Sequence, residues 1–131
     1  MGWTNSIDAI TLFVDDLDTS KAFYASVFDL PVMFEDEASA VFDFYSSVVN
    51  LLKRSEALEL IDPAQVASGE AGSRVLFTLA VEDVDRIVMD LRARGVEPLN
   101  GPTDRPWGVR TASIRDPDGY ILEIAHKITS D

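Results

Sequence analysis

A chain of 131 residues can bury roughly two-thirds of its unfolded surface in one domain without cross-links. It contains no cysteine, which excludes a disulfide framework, a thiolate metal site and a cysteine nucleophile. Lysines and arginines number 11 against 23 acidic residues, for a net charge of −12 that repels a phosphate backbone and argues against nucleic-acid binding; the same acidity serves solubility and favours cationic partners. The opening Met1-Gly2-Trp3-Thr4-Asn5-Ser6 has no basic stretch leading into an apolar one, and no apolar run nears the ~20 residues that span a bilayer. A cytoplasmic protein without membrane contact is expected.

Residues 7–14 are rich in β-branched and apolar types and run into Asp15-Asp16-Leu17-Asp18-Thr19-Ser20, a cluster of good helix N-caps. A helix over 17–28 follows, with Leu17, Ala22, Phe23, Val27 and Phe28 as its apolar stripe, and Pro31 prevents its continuation. Three strands are predicted over 31–34, 40–45 and 48–52. Residues 53–72 lack a clean period and contain Pro63, Gly69 and Gly72, which suits a linker with one helical turn around 55–60. The pattern then restarts. A strand over 74–81 leads into a helix beginning near Glu82-Asp83-Val84-Asp85, with Ile87, Val88, Leu91 and Ala93 on its buried side and Gly95 as its stop. A short strand over 96–99, a loop over 101–108 and a strand over 109–115 come next. Asp116-Pro117-Asp118-Gly119 is a tight turn; a strand over 120–126 and a polar tail over 127–131 complete the chain.

Sliding the chain on itself by 67 residues pairs Thr11 with Thr78, Leu12 with Leu79, Val14 with Val81, Asp16 with Asp83, Asp18 with Asp85 and Pro31 with Pro98. One offset serves strand, helix cap and post-helix proline, so the chain reads as a duplication. The domain expected over 1–131 comprises module one at 7–53, a linker at 54–73 and module two at 74–127.

Three stretches carry a family resemblance: Ile10-Thr11-Leu12-Phe13-Val14-Asp15-Asp16-Leu17 leading to Phe23-Tyr24, Leu79-Ala80-Val81-Glu82-Asp83-Val84-Asp85, and Asp116-Pro117-Asp118-Gly119-Tyr120-Ile121-Leu122-Glu123-Ile124. In this order they resemble the vicinal oxygen chelate superfamily, which includes glyoxalase I, bleomycin-resistance proteins and extradiol dioxygenases. The resemblance implies an α+β fold of two tandem βαβββ modules, with curved mixed sheets around a ligand cleft, helices outside, and often a homodimer. Where the family often has glycine after the first helix this chain has Asp29, a residue that tolerates the left-handed region better than most. Metal-dependent members place ligands near the start of the first strand and in the fourth strand of each module; those positions are Ala9, Asn50, Leu76 and Glu123 here. Alanine and leucine offer no donor and Asn50 only a neutral amide, so no metal and no other cofactor is expected. His126, the sole histidine, falls on the opposite strand face from Glu123 and is expected at the surface or a dimer contact.

With Ala9 and Glu123 facing the cleft, alternation brings Thr11, Phe13, Arg74, Thr78, Ala80, Ile121 and Ala125 to the same side. Glu123 needs a partner or solvent, with Arg74 and Arg110 as candidates; it is either a polar anchor or a carboxylate kept in a structural pair. In Asp104-Arg105-Pro106-Trp107-Gly108-Val109-Arg110, Trp107 offers a flat surface for a ligand or a dimer contact, and Arg110 a fork for carboxylates. Phe44 is the member of the aromatic group Phe34, Phe42, Phe44 and Tyr45 expected to reach the cleft. The expected ligand-binding set is Phe13, Phe44, Asn50, Arg74, Trp107, Arg110 and Glu123. The function expected is metal-independent binding of an aromatic or cationic, antibiotic-like small molecule; the alternative is a lyase, isomerase or dioxygenase-type enzyme using Glu123 as base or a noncanonical metal site.

Overall fold

The apolar run after Asp8 forms β1 (Ala9–Val14), and in the computed structural model, which describes residues 2–128, it leads directly into helix α1 (Leu17–Phe28). Asp16 caps that helix: its backbone is extended and its carboxylate accepts from the Thr19 N–H at 3.1 Å. Asp29 ends it in the left-handed region, at φ 52° and ψ 46°, as its residue type allows. Then come β2 (Val32–Glu35), β3 (Ser39–Asp43), β4 (Val48–Lys53) and α2 (Arg54–Ile61). The expected single turn around 55–60 is thus a two-turn helix, whose Ala57 is fully buried.

Contacts divide the chain into two units, Met1–Glu70 and Ala71–Asp131. The second holds β5 (Leu76–Ala80), α3 (Val84–Ala93), β6 (Asn100–Arg105), β7 (Val109–Arg115) and β8 (Ile121–Lys127). Each unit has one four-stranded mixed sheet, in the orders β1-β4-β3-β2 and β5-β8-β7-β6. In both, the first strand pairs in parallel with the last and the remaining pairs are antiparallel. The duplication therefore extends from sequence to topology. Even the irregularities match: the β2–β3 ladder shifts register between Val32 and Phe34, the β6–β7 ladder between Asn100 and Thr103.

Helix α3 repeats the cap of α1, with Asp83 extended and accepting from the Arg86 N–H at 3.3 Å. At its other end the Gly95 N–H donates to Arg92 O and the Val96 N–H to Leu91 O, with Gly95 at φ 83°, the paired closure of a left-handed C-terminal stop. The turn at Asp116 is held from within: its buried Oδ1 accepts from the Asp118 and Tyr120 N–H groups, both at 2.9 Å.

Three expectations need correction. The strand placed at 96–99 lies at Asn100–Arg105, inside the stretch expected as a loop. Its glycine, proline and polar residues read as a turn, yet backbone pairing to β7 makes it a strand. In α1 the buried residues are Leu17, Ser20 and Tyr24 while Ala22 is exposed, and in α3 Val84 joins Val88 and Leu91 while Ala93 is exposed. Tyr24 anchors the first core, its ring stacked on Phe28 at 5.6 Å and tilted against Phe42 at 6.1 Å. Of the expected polar tail, Lys127 ends β8; residues 129–131 lie outside the described residues. Among the described residues no helix is long and apolar enough to cross a membrane.

Gly101 shows how tightly β6 lies on β7. Its φ is +87°, and a Cβ there would stand 2.5 Å from Thr111 O and 2.7 Å from the Ala112 Cα. Gly101→Ala is expected to lower stability by at least about 2 kcal/mol, from backbone strain and overpacking together, measured by urea denaturation; a wild-type midpoint would disprove the close approach.

Candidate functional site

Strand register sorts the side chains of each sheet onto two faces. One is covered by helices: Leu12, Val14, Ala40, Phe42 and Leu51 in the first unit, Ala112, Ile114, Leu122 and Ile124 in the second, all buried. The other faces are helix-free. There Thr11 pairs with Asn50 and Thr78 with Glu123, so the parallel pairing of two threonines related by the repeat makes Asn50 and Glu123 equivalent positions of the two sheets. Ala9 and Leu76 stand two residues ahead of those threonines on the same faces.

Glu123 is half-buried, and its Oε1 accepts from the Thr78 hydroxyl at 2.9 Å. This neutral donor, rather than Arg74 or Arg110, is its partner. Arg74 is exposed ahead of β5. Arg110 lies on the helix-covered face, beside Asp104 and His126 in the β-ladders. Its Nε and one terminal nitrogen donate to the two carboxylate oxygens of Asp85 at 2.8 and 2.9 Å, and its other terminal nitrogen donates to Asp104 at 2.8 Å. These bonds, chiefly the one from Arg110, hold the Asp85 carboxyl below the usual aspartate range, and Asp85 followed by Asp104 raises the guanidinium above its ordinary range.

Asn50 is half-buried, and its Oδ1 is buried with no hydrogen-bond donor. It is the one such side-chain atom among the described residues. Phe13 shares this helix-free face, half-buried and paired with Leu52. Phe44, expected on the same side, instead meets Phe28 edge-on at 5.2 Å; the end of α1 offered it a ring, which the sequence did not show. Trp107 is 71% exposed in the three-residue loop joining β6 to β7, where Gly108 takes φ 88° and its N–H donates to Arg105 O at 3.1 Å. Gly108 thus serves the hairpin.

His126 has a role that spacing did not reveal. It lies on the face opposite Glu123, and its Nδ1 accepts from the Val84 N–H at 2.9 Å. It satisfies a helix-terminal donor rather than standing as a plain surface residue. A cleft of about 860 Å³ at the start of α1 is lined by Asp15, Asp16, Asp18, Glu35, Asp36 and Glu37 with Lys21 and Lys53. Much of this acidity is engaged structurally: Asp16 caps α1, Lys21 pairs with Glu35 and Arg54 with Asp15. Asp36 Oδ1 accepts from Ala38 N–H, Ser39 N–H and the Ser39 hydroxyl; the Ala38 bond leads in holding that carboxyl below its usual range.

A profile described as the Glyoxalase/Bleomycin resistance protein/Dioxygenase superfamily matches residues 6–124. The chain belongs to this superfamily. It is 38% identical over 119 residues to the uncharacterized protein YraH of Bacillus subtilis (strain 168), covering 88% of this chain and 93% of that protein. The fold is similar to that of a glyoxalase/bleomycin resistance protein/dioxygenase from Nocardioides, at TM-score 0.86 and 22% identity over 100% of this chain and 89% of that one. It is also similar to lactoylglutathione lyase from Agrobacterium tumefaciens, at TM-score 0.74 and 24% identity over 92% of each chain.

The donor set does not fit the metal that some superfamily members hold. Ala9 and Leu76 have no donor atom, and Asn50 is a neutral amide beside the single carboxylate Glu123. Among the described residues no group of three or more His, Asp or Glu side chains is arranged to hold a metal ion.

The Asp85 carboxyl ionises more readily folded than unfolded, so its stabilisation is present above the ordinary aspartate pKa and fades as pH falls through the lower folded value. Melting temperature should therefore drop less steeply below about pH 4 in Arg110→Met than in the wild type; parallel curves would show that the pair contributes nothing.

Proposed function

We propose that this protein is a metal-independent binder of an aromatic or cationic small molecule, held on a helix-free sheet face, and that it acts as a cytoplasmic homodimer. The observation that carries the reading is the buried Asn50 Oδ1 without a donor. A buried carbonyl left unmade costs about 1–3 kcal/mol, and a ligand N–H or O–H that reaches it removes that cost. Glu123, the equivalent position of the second unit, is likewise an acceptor, oriented by Thr78. In the first unit Phe13 supplies apolar surface beside Asn50; in the second, the exposed Trp107 offers a flat ring of its own for an aromatic group. The missing donors at Ala9 and Leu76 support a ligand bound without a metal bridge.

Asn50→Leu separates this reading from a purely structural amide. The variant should melt several degrees higher than the wild type without ligand, because it removes an unsatisfied acceptor, and should lose the stabilisation that aryl amines give the wild type. A lower melting temperature with amine stabilisation intact would sink the proposal. Turnover of a substrate lost in Glu123→Gln would replace it with the enzymatic reading. The homodimer is supported by Met33 and Phe34, 61% and 57% exposed on the edge strand β2, since bare edges invite pairing; light scattering should give twice the chain mass, and a monomer at all concentrations would remove this part.

A further inference from the structure

The helix-free face of the second sheet differs in charge from the chain as a whole. Pairing puts Arg105 and Lys127 on opposite sides of Val109, and Arg115 beside Ile121, all on the face that carries Glu123. Among the strand residues of that face Glu123 is the single acid and Arg105, Arg115 and Lys127 are the bases, in a chain with 23 acids and 11 bases overall. The composition of the chain would give about two acids for each base.

Arg105 is the best placed of the three. It is half-buried, and its Nε donates at 2.9 Å to the hydroxyl of Thr111, which is 1% exposed. That bond occupies one of five guanidinium donors and fixes the plane of the group. Among the described residues no ion pair engages Arg105. Arg110, five residues on, meets two carboxylates on the other face. An arginine fixed by a neutral hydroxyl in so acidic a chain is a fork already oriented for a carboxylate.

We propose that Arg105 is the anion-anchoring residue of the second unit, binding the carboxylate of a ligand on this face. The ligand class is then carboxylate-bearing, with Glu123 a separate acceptor for cations on the same face. This rests on the binding reading above and narrows it.

Three probes on one aryl-ethyl frame test it: 3-phenylpropanoate, phenethylamine and phenylalanine, titrated into the full ¹⁵N-labelled chain and followed by amide shifts. 3-Phenylpropanoate and phenylalanine, which carry the carboxylate, should both shift amides around Arg105. Arg105→Gln should weaken 3-phenylpropanoate about 10-fold, as expected for a lost charged fork, and leave phenethylamine unchanged; Glu123→Gln should do the opposite. Thr111→Val, which keeps the charge and the shape but frees Nε, should weaken 3-phenylpropanoate by a smaller factor, with Arg105→Lys between the two. Unchanged carboxylate binding in Arg105→Gln, or equal loss of both charged probes in a folded variant, would overturn the assignment. If phenethylamine binds through Glu123 while 3-phenylpropanoate does not bind, the anion anchor is wrong and the binding function stands. If no probe shifts any amide, both fall.

Discussion

Parallel pairing of the first and last strand in each unit is the constraint on which the other features depend. Parallel neighbours cannot be joined by a tight turn, so the chain must cross over, and the crossover begins with a helix. The helix then covers one face of the sheet, and that coverage decides which residues form a core and which are left for chemistry. The same pairing sets Thr11 beside Asn50 and Thr78 beside Glu123. Without the parallel register these residues are 39 and 45 positions apart in sequence with nothing to relate them.

What local chemistry determines is legible in the sequence. Helix starts at Asp16 and Asp83, the left-handed stop at Asp29, the turn at Asp116 and the strand Val109–Arg115 each depend on a few neighbouring side chains. What tertiary pairing determines is not. The strand Asn100–Arg105 has turn-like composition and owes its form to β7; Tyr24, a residue with a polar tip, is core because Phe28 and Phe42 surround it. The equivalence of Asn50 and Glu123 could be read from the repeat, but the partner of Glu123 could not, because Thr78 is as small a signal as any threonine.

The two arginines near Trp107 show the limit most sharply. Arg110 had the stronger sequence signal, following a Trp-Gly pair. Odd and even positions of a strand point to opposite faces, and it is the β6–β7 register, with Arg105 opposite Val109, that puts Arg105 rather than Arg110 on the face of Glu123. A one-residue slip of β6 on β7 would carry Arg105 to the opposite face, while Arg110 stays fixed by the pairing of β7 with β8. Duplication has thus preserved a scaffold while the chemistry of its halves diverged: the first unit presents a neutral amide beside Phe13, the second a carboxylate and a guanidinium, each fixed by a threonine.

The bond from Val84 to His126 ties the first turn of α3 to a side chain 42 residues later, near the end of the chain. During synthesis on the ribosome, α3 emerges long before its acceptor does, and β5 long before β8. Each unit closes by its final strand, so its order is acquired late and all at once rather than element by element. A nascent chain halted before Ile121 would carry α1, α2 and α3 and still leave the second sheet without the strand that completes it.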